Sequence, residues 1–254
     1  MIKGLYSAFS AMEAAWKYQE VLANNVANAN TAGFKREVAS KESFADVLLS
    51  QQAPVPAPFP ARIQAVIGQI GTGSFIADFV TDWAQGALQS TEGELDLGLS
   101  GGFFSIETPG GDQYLTRDGR FGRDAAGDLV TSQGSYVLDI DGQHINLPAE
   151  RVEIGPSGEI YTGAGDFIAQ IAVNDYTPND LTRAGEGHFT ATIGGTPIEG
   201  TVRQGYLERS NANLVEDMTS LLAVQRTFQA NQTIISSLDR TLDQAAGQLG
   251  SYGQ

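Results

Sequence analysis

The sequence predicts an α+β fold in which N- and C-terminal helices pair as a coiled coil and enclose an antiparallel all-β domain on an extended connector. Three observations support this prediction. Apolar residues recur every seven positions at both chain ends, glycine-marked turns separate short β-rich runs in the middle, and prolines alternate before these runs. Heptad spacing is typical of packed helices, and frequent turns between β-rich runs are typical of hairpins. We therefore divide the chain into 1–35, 36–74, 75–206 and 207–254.

The first segment, 1–35, has the period of an amphipathic helix. Its core-type positions are Ile2, Phe9, Trp16 and Ala23, and, three positions after each, Leu5, Met12, Gln19 and Val26. These two rows predict a single seam against a partner helix. The helix is expected to end at Ala32-Gly33, because a glycine commonly terminates a helix.

Four asparagines, Asn24, Asn25, Asn28 and Asn30, lie near the end of this predicted helix. Asparagine is unfavourable inside helices, because its short amide competes for backbone hydrogen bonds. Two interpretations stay open. The amides cap and fray the helix within one subunit, or they hydrogen-bond laterally to neighbouring helices without adding charge.

The connector, 36–74, contains Pro54, Pro56, Pro58 and Pro60 on alternate residues. Alternating prolines exclude a helix and favour an extended, polyproline-like path. An extended arm is the simplest interpretation, and a docking peptide for a proline-recognising domain is the alternative.

The middle segment, 75–206, reads as an antiparallel β-domain of hairpins. Turn sequences such as Arg117-Asp118-Gly119 and Asp141-Gly142 separate β-rich runs, among them 103–106, 135–138 and 167–173. Because no helical stretch separates these runs, a parallel α/β fold is excluded.

The last segment, 207–254, repeats the heptad texture of the first. Its main row is Leu214, Leu221, Phe228, Ile235, Leu242 and Leu249, and its companion row is Asp217, Val224, Asn231, Leu238 and Ala245. Asn213 followed by Glu216 has the spacing of a capping box. Asp217 and Asn231 are unfavourable in a dry seam and are expected to meet amides or water in a larger assembly. The pattern fits pairing of the terminal helices within one molecule or between molecules equally well.

Composition excludes several classes of function. The formal charge of −15 argues against nucleic-acid binding and against an anionic membrane surface. The absence of cysteine excludes disulfides, thiolate metal sites and cysteine nucleophiles. Glu13 and Lys17 interrupt the N-terminal apolar pattern, so this end is a poor secretory signal, and no apolar run is long enough for membrane insertion.

No catalytic or metal-binding pattern emerges, so neither an enzyme nor a cofactor is expected. The two histidines, His144 and His188, are widely separated, and no G-x-S-x-G nucleophile elbow or P-loop occurs. LDIDGQ lacks the further ligands of a calcium loop and fits a hairpin turn better. The alternating acids Glu92, Glu94 and Asp96 fit a solvated strand face, because like charges so placed repel.

Three motifs carry a family resemblance, and the first is residues 23–37, ANNVANANTAGFKRE. Its matching residues are Asn24, Asn25, Ala27, Asn28, Thr31, Gly33, Phe34 and Lys35. The C-terminal motif, GYLERSNANLVEDMTSLLAVQRTFQANQ, matches at Gly205, Tyr206, Leu207, Glu208, Ser210, Asn211, Asn213, Val215, Glu216, Gln225, Arg226 and Asn231. Between them lie, in order, Gln85-Gly86 with Leu88 and Thr91, then Gly102-Phe103-Phe104, and then Thr116-Arg117-Asp118-Gly119 with Phe121. In these residues the chain resembles the bacterial flagellar axial proteins of the rod and hook family.

The resemblance covers nearly the whole chain, and its departures are small. Leu115 replaces a usual aromatic residue, and Phe228 replaces a common tyrosine. The length resembles that of the larger rod proteins, proximal or distal, and the connector favours the proximal one.

The resemblance implies a structural subunit of the flagellar rod with no catalytic activity. Such a subunit is exported through the type III apparatus without a cleaved signal and polymerises helically in the basal body, across the periplasmic space. Its terminal helices form the inner tube, its β-domain forms the outer layer, and its connector bridges neighbouring subunits and stiffens the torque-transmitting shaft. Its partners are copies of itself, neighbouring rod proteins, and hook or ring proteins.

The residues expected to make assembly contacts combine the heptad rows with the terminal motifs. They are Ile2, Leu5, Phe9, Met12, Trp16, Asn24, Asn25, Asn28, Thr31, Gly33, Phe34, Lys35, Asn211, Asn213, Leu214, Leu221, Gln225, Arg226, Phe228, Asn231, Ile235 and Leu242. The alternative from another functional class is a secreted β-domain that binds or hydrolyses carbohydrate and carries helical oligomerisation ends.

Overall fold

The computed structural model describes residues 2–44, 47–54, 62–71, 73–185, 187–198 and 202–251. These residues divide into two compact units. Unit 1 contains Met1–Asn24, Glu37–Val80 and Val215–Gln254, and unit 2 contains Asn25–Arg36 and Thr81–Leu214. The chain is α+β, with a helix at each end and antiparallel strands between them, as the sequence predicts.

Unit 1 holds most of both long helices and four strands. Helix α1 spans Ile2–Ala27 and helix α2 spans Leu214–Ser251. The strands are β1 Glu37–Ser43, β2 Val47–Pro54, β3 Arg62–Ile70 and β4 Ser74–Thr81. Neither helix, over its described residues, has a segment long and apolar enough to cross a membrane.

Helix α1 ends at Ala27, several residues before the predicted end at Ala32-Gly33. The chain turns instead, with backbone hydrogen bonds from Ala29 N to Val26 O (3.3 Å) and from Thr31 N to Asn28 O (3.1 Å). The Thr31 hydroxyl also donates to Asn28 Oδ1 (3.2 Å). Asparagine side chains that bond locally favour such turns over a continued helix, which explains the early end.

The two helices contact each other through a small apolar cluster in unit 1. Ala15 and Leu22 of α1 pack with Val224 of α2, and Leu221 and Phe228 flank them. The α2 residues belong to the predicted heptad rows, whereas the α1 residues do not. Helix–helix packing is therefore observed, but α1 contacts α2 through a different face from the predicted seam, and Tyr18 of α1 also packs against the cluster.

The connector residues pair as strands. Strand β1 pairs with β4, and β2 pairs with β3 in antiparallel register, from Val47↔Ile70 to Pro54↔Arg62. Strand β4 thus pairs with a connector strand, whereas the sequence predicts that it belongs to the β-domain, 75–206. Proline spacing predicts an extended chain but carries no information about its pairing partner. Pro56, Pro58 and Pro60 lie outside the described residues.

Unit 2 consists of short strands, the end of α1, and one turn of 3₁₀-helix at Pro178–Asp180. The strands are β5 Leu88–Ser90, β6 Leu97–Leu99, β7 Phe103–Glu107, β8 Gln113–Thr116, β9 Phe121–Arg123, β10 Leu129–Thr131, β11 Tyr136–Val137, β12 Val152–Ile154, β13 Glu159–Thr162, β14 Phe167–Gln170, β15 Val173–Asp175, β16 Leu181–Gly185, β17 His188–Ala191, β18 Thr196–Pro197, β19 Val202–Gln204 and β20 Tyr206–Glu208.

These strands form one large sheet and three smaller ones. The large sheet has the order β16-β17-β8-β7-β11-β10-β9, with β15 beside β7 and β18 beside β15. The smaller sheets are β12-β13-β14, β19-β6 and β20-β5. The last two pairs bring strands from near the C-terminal end of unit 2 onto strands near its beginning.

The core of unit 2 lies on both sides of β7, because successive strand residues face opposite ways. Phe104 and Ile106 lie in the larger apolar cluster, and Phe103 lies in a second cluster with Leu115 and Phe189. Trp83 packs edge-on against Phe103 and Phe189 in that second cluster, with ring centroids 5.8 and 5.0 Å away.

The predicted run 167–173 is divided between two sheets. Strand β14 lies in the three-stranded sheet, and β15 lies in the large one. The chain changes sheets at Ile171, whose backbone N donates to Gly158 O (2.9 Å). A β-rich run in the sequence predicts extended chain but does not show where that chain changes sheets.

Candidate functional site

Three residues that are far apart in sequence form a buried charge cluster in unit 2. Lys35 follows the end of α1, Arg117 follows β8, and Glu208 ends β20. Lys35 Nζ donates to Glu208 Oε1 (2.7 Å), and Arg117 Nη1 donates to Glu208 Oε2 (3.0 Å). The Lys35 and Glu208 side chains are 1 % exposed, and that of Arg117 is 9 % exposed. The cluster thus joins three sequence motifs in the dry interior.

Further contacts extend the hydrogen bonding of the buried charge cluster, in which Arg117 Nε remains buried without a hydrogen-bond partner among the described residues. Lys35 Nζ also donates to Ala84 O (2.8 Å), and Gly86 N donates to Glu208 Oε1 (2.8 Å). The Arg117 guanidinium lies over the Phe103 ring, 4.8 Å from its centroid. Buried ions are tolerated only when their polar atoms are paired in this way.

The buried charge cluster contains two cations and one carboxylate. Burial lowers the pKa of Lys35, because the ammonium group loses its hydration, and the adjacent Glu208 carboxylate opposes this effect. The proximity of Arg117 adds to the lowering. Glu208 is therefore the residue on which the charge balance of the cluster depends.

Gly33 positions the backbone beside this cluster. Its N–H donates to Glu208 O (2.8 Å), and its φ is +66°. A Cβ at this position would lie 2.2 Å from the carbonyl carbon of Arg117. Only glycine meets both the conformational and the steric requirement.

Asn211 forms a second polar junction next to the buried charge cluster. Its Oδ1 accepts from Arg36 N (2.7 Å), and its Nδ2 donates to Asp82 O (2.7 Å) and Ala84 O (3.0 Å). Arg36 Nε donates to Asp82 Oδ2 (3.0 Å), and Ala84 N donates to Asp82 Oδ1 (3.0 Å). The Ala84 N–H lowers the pKa of Asp82, and Arg36 lowers it further. One amide thus ties the segment after α1 to the segment before α2.

Phe34 is held by an arginine from a distant hairpin. The Arg183 guanidinium lies over the Phe34 ring, 4.6 Å from its centroid. Arg183 Nη1 also donates to Lys35 O (3.2 Å). Phe34 is 4 % exposed, so this residue packs inside the described subunit.

Two groups among the predicted assembly residues have contrasting environments. Gly33, Phe34, Lys35 and Asn211 meet inside unit 2, where Asn25 is also buried at 2 % exposure. The apolar α1 residues lie at the surface of unit 1, with Leu5 36 %, Phe9 54 % and Trp16 58 % exposed.

Sequence reasoning did not identify Arg117, Glu208 and Gly86 as site residues, although all three carry the family resemblance. The available signal was that Arg117 and Glu208, which have opposite charges, lie inside two distant motifs. For Asp82 and Arg183 the sequence offers no signal, since neither lies in a motif quoted above. Among the described residues, no group of His, Cys, Asp or Glu could hold a metal ion.

Three family models match the chain at the segments just described. Residues 5–35 match "Flagella basal body rod protein", residues 100–167 match "Flagellar hook protein FlgE/F/G D1 domain", and residues 203–248 match "Flagellar basal body rod FlgEFG protein C-terminal". The first and third matches contain Lys35 and Glu208, and the second contains Arg117.

Curated relatives match over almost their entire length. The chain is 34 % identical to the flagellar basal-body rod protein FlgG of Bacillus subtilis, with 96 % of this chain and 98 % of the relative covered. It is 33 % identical to FlgF of Rhizobium meliloti, with 98 % and 99 % covered. It is 31 % identical to FlgG of Agrobacterium fabrum, with 94 % and 96 % covered.

Proposed function

The chain belongs to the flagellar basal-body rod protein family as a structural subunit of the rod, and we propose that it polymerises helically into a torque-transmitting shaft around an export channel. The family places the chain in the flagellar basal body, where it assembles with itself and with other hook–basal-body proteins. In the proposed shaft the terminal helices line the inner tube, the β-domain forms the outer layer, and the connector bridges neighbouring subunits. Passage of the unfolded chain through the flagellar type III export apparatus is part of the same proposal.

The observation that carries this proposal is the exposed apolar face of α1. Within unit 1, α1 contacts α2 through the small residue Ala15 and through Leu22. The larger side chains of the predicted seam, Phe9 and Trp16, remain more than half exposed. Burial of a large apolar side chain contributes about 1.5–3 kcal/mol, so a row of them favours association with a further helix. The second helix of the proposed seam comes from a neighbouring subunit.

Helix α2 supplies additional support. Leu214 and Leu242 of its predicted row are 41 % and 40 % exposed. A helix of a neighbouring subunit would bury these two apolar side chains.

The test replaces two exposed aromatic residues of α1 by glutamine, F9Q together with W16Q. Glutamine keeps helix propensity but removes the apolar surface. We expect the variant to fold but to be absent from isolated basal bodies. We also expect that it will not restore motility to a strain from which the gene for this chain has been deleted. Folding is checked by far-UV circular dichroism, and assembly by immunoblotting of basal bodies and by swimming assays.

The matched control removes equally exposed apolar surface outside the helices. Phe167 and Ile193 of unit 2 are 59 % and 63 % exposed, so F167Q together with I193Q is the control variant. We expect it to restore swimming. Normal swimming by the F9Q/W16Q variant would show that this face of α1 makes no essential contact.

A further inference from the structure

We propose that a cavity in unit 2 binds an acidic side chain from a second copy of this chain, an inference that rests on the proposed function. The cavity has a volume of about 420 Å³. Its walls come from the turn after α1, from β5 and the residue after it, from Arg120, and from the end of β20. None of these segments belongs to the exposed α1 face, so this contact would be separate from the helix seam.

Two arginines give the cavity a positive wall. Arg120 and Arg209 both line the cavity and are both exposed. Within the described part of the chain, neither guanidinium group forms an ion pair or a side-chain hydrogen bond. The acidic residue on the wall is Glu208, whose carboxylate is already bound by Lys35 and Arg117. Arg120 lies near Asp118, whose Oδ1 accepts from the Arg120 backbone N (3.0 Å), and the Arg120 charge opposes the rise in the pKa of Asp118 that burial causes.

An amide lies on the same wall as the arginines. Asn30 is exposed and lines the cavity, and its side-chain amide supplies hydrogen-bond donors. Amide and guanidinium donors around one cavity are groups that bind a carboxylate.

The acidic charge of the chain makes a carboxylate of a second copy a suitable occupant of this cavity. The sequence contains 30 acidic residues and 15 basic ones, so the surfaces of neighbouring copies repel one another at a distance. Two guanidinium groups on one cavity wall therefore form a site at which a neighbouring carboxylate gains rather than loses electrostatic free energy. A carboxylate bound here would pair two arginines and fix the register between subunits.

The first test reverses both charges with R120E and R209E. The control is R151E with R203E, which alters the net charge equally at two exposed arginines of unit 2 that do not line this cavity. We expect at least about a tenfold loss of this subunit from basal bodies for R120E/R209E, because like charges then face each other. We expect near-normal incorporation for the control, and partial incorporation for R120K/R209K, which keeps the charge but not the forked donors.

The second test identifies the occupant. A photo-crosslinking amino acid is placed at Gln89, an exposed residue on the cavity wall, in a motile strain. Mass spectrometry is expected to identify a crosslink to a second copy of this chain. A crosslink to a different protein, or normal incorporation of R120E/R209E, would overturn the cavity proposal alone. Failure of the unaltered chain to enter basal bodies would instead overturn the proposed function.

Discussion

At the scale of single residues, the stability of the buried charge cluster depends more on Glu208 than on Lys35. Glu208 accepts from Lys35, Arg117 and Gly86, so its removal leaves two buried cations without a carboxylate. Removal of the Lys35 charge leaves the pair Arg117–Glu208 balanced, and Ala84 O keeps its hydrogen bond from Asn211. Loss of one partner from a buried pair is costly when it leaves an uncompensated charge.

We therefore predict that E208Q lowers the free energy of unfolding of unit 2 by about 3–5 kcal/mol, and that K35M lowers it much less. Urea unfolding followed by Trp83 fluorescence measures both effects. Because Trp16 is the second tryptophan and lies in unit 1, the variants are made in a W16F background.

The control for this comparison is E150Q, which neutralises an exposed glutamate and should leave the stability of unit 2 nearly unchanged. Equal losses for K35M and E208Q would contradict the charge balance described for the cluster. They would indicate instead that the Lys35 ammonium group, whose charge and hydrogen bonds methionine removes, is as important to the junction as Glu208.

The contacts of Asp82 indicate that the free energy of unfolding of unit 2 depends on pH in the acidic range. The Ala84 N–H and Arg36 lower its pKa from the ordinary value of 3.8. A carboxyl group whose pKa is lower in the folded state stabilises the fold above the unfolded value, and this contribution is lost as the pH falls through the folded value. D82N should therefore cost about 0.5–1 kcal/mol at neutral pH.

The cost of D82N should shrink as the pH falls below 3.8, because the Asp82 carboxyl group then binds a proton in the unfolded state, and it should be smallest below the lower pKa of the folded state. Urea unfolding at a series of pH values measures the difference between the two proteins. D112N, a change at an exposed aspartate, should show no such convergence. A D82N cost that stays constant down to the lowest pH would refute the assignment.

At the scale of elements, the sequence predicts the helices and the antiparallel domain, because both have a period. The start of α2 at Leu214 follows the predicted cap residue Asn213 directly. The end of α1 is mispredicted, because local bonds of Asn28 and Thr31 compete with the helix before the glycine is reached. The inward face of α1 is also not predictable from hydropathy, since Ala15 and Leu22, rather than Phe9 and Trp16 of the predicted rows, pack with Val224 of α2.

Strand pairing shows a second limit of sequence reasoning. Prolines predict that the connector is extended, but the β1-β4 and β2-β3 pairings depend on tertiary contacts. In unit 2, β5 pairs with β20 and β6 with β19, across more than a hundred residues of intervening chain. A two-residue period identifies a strand but does not identify a partner so distant in sequence.

At the scale of the whole molecule, the terminal motifs meet through unit 2. Lys35 belongs to the N-terminal motif, Glu208 to the C-terminal motif and Arg117 to the internal one. The sequence predicts the order of these motifs but not their convergence, because the charges that pair are separated by whole sheets. The fold of unit 2 therefore requires both the N-terminal motif, which contains Lys35, and the C-terminal motif, which contains Glu208.

This requirement leads to a prediction about truncated chains. A chain that ends after Leu214 keeps every residue of unit 2, including β19, β20 and Glu208. A chain that ends after Ile198 lacks the partners of β5 and β6 and leaves Lys35 and Arg117 without their carboxylate. We expect the longer fragment to unfold cooperatively, as followed by Trp83 fluorescence, and the shorter one to show no cooperative transition.

Limited proteolysis provides an independent measurement of folding in the same two fragments. The longer fragment should yield a protected core containing 81–214, whereas the shorter fragment should be degraded throughout, since its two incomplete sheets expose strands β5 and β6. An N-terminal truncation that begins at Asn25 should keep the protected core, because Met1–Asn24 lies in unit 1. A stable, cooperatively folded fragment ending after Ile198 would show that the C-terminal strands and Glu208 are dispensable, and that folding of this domain is complete before the end of the chain is available.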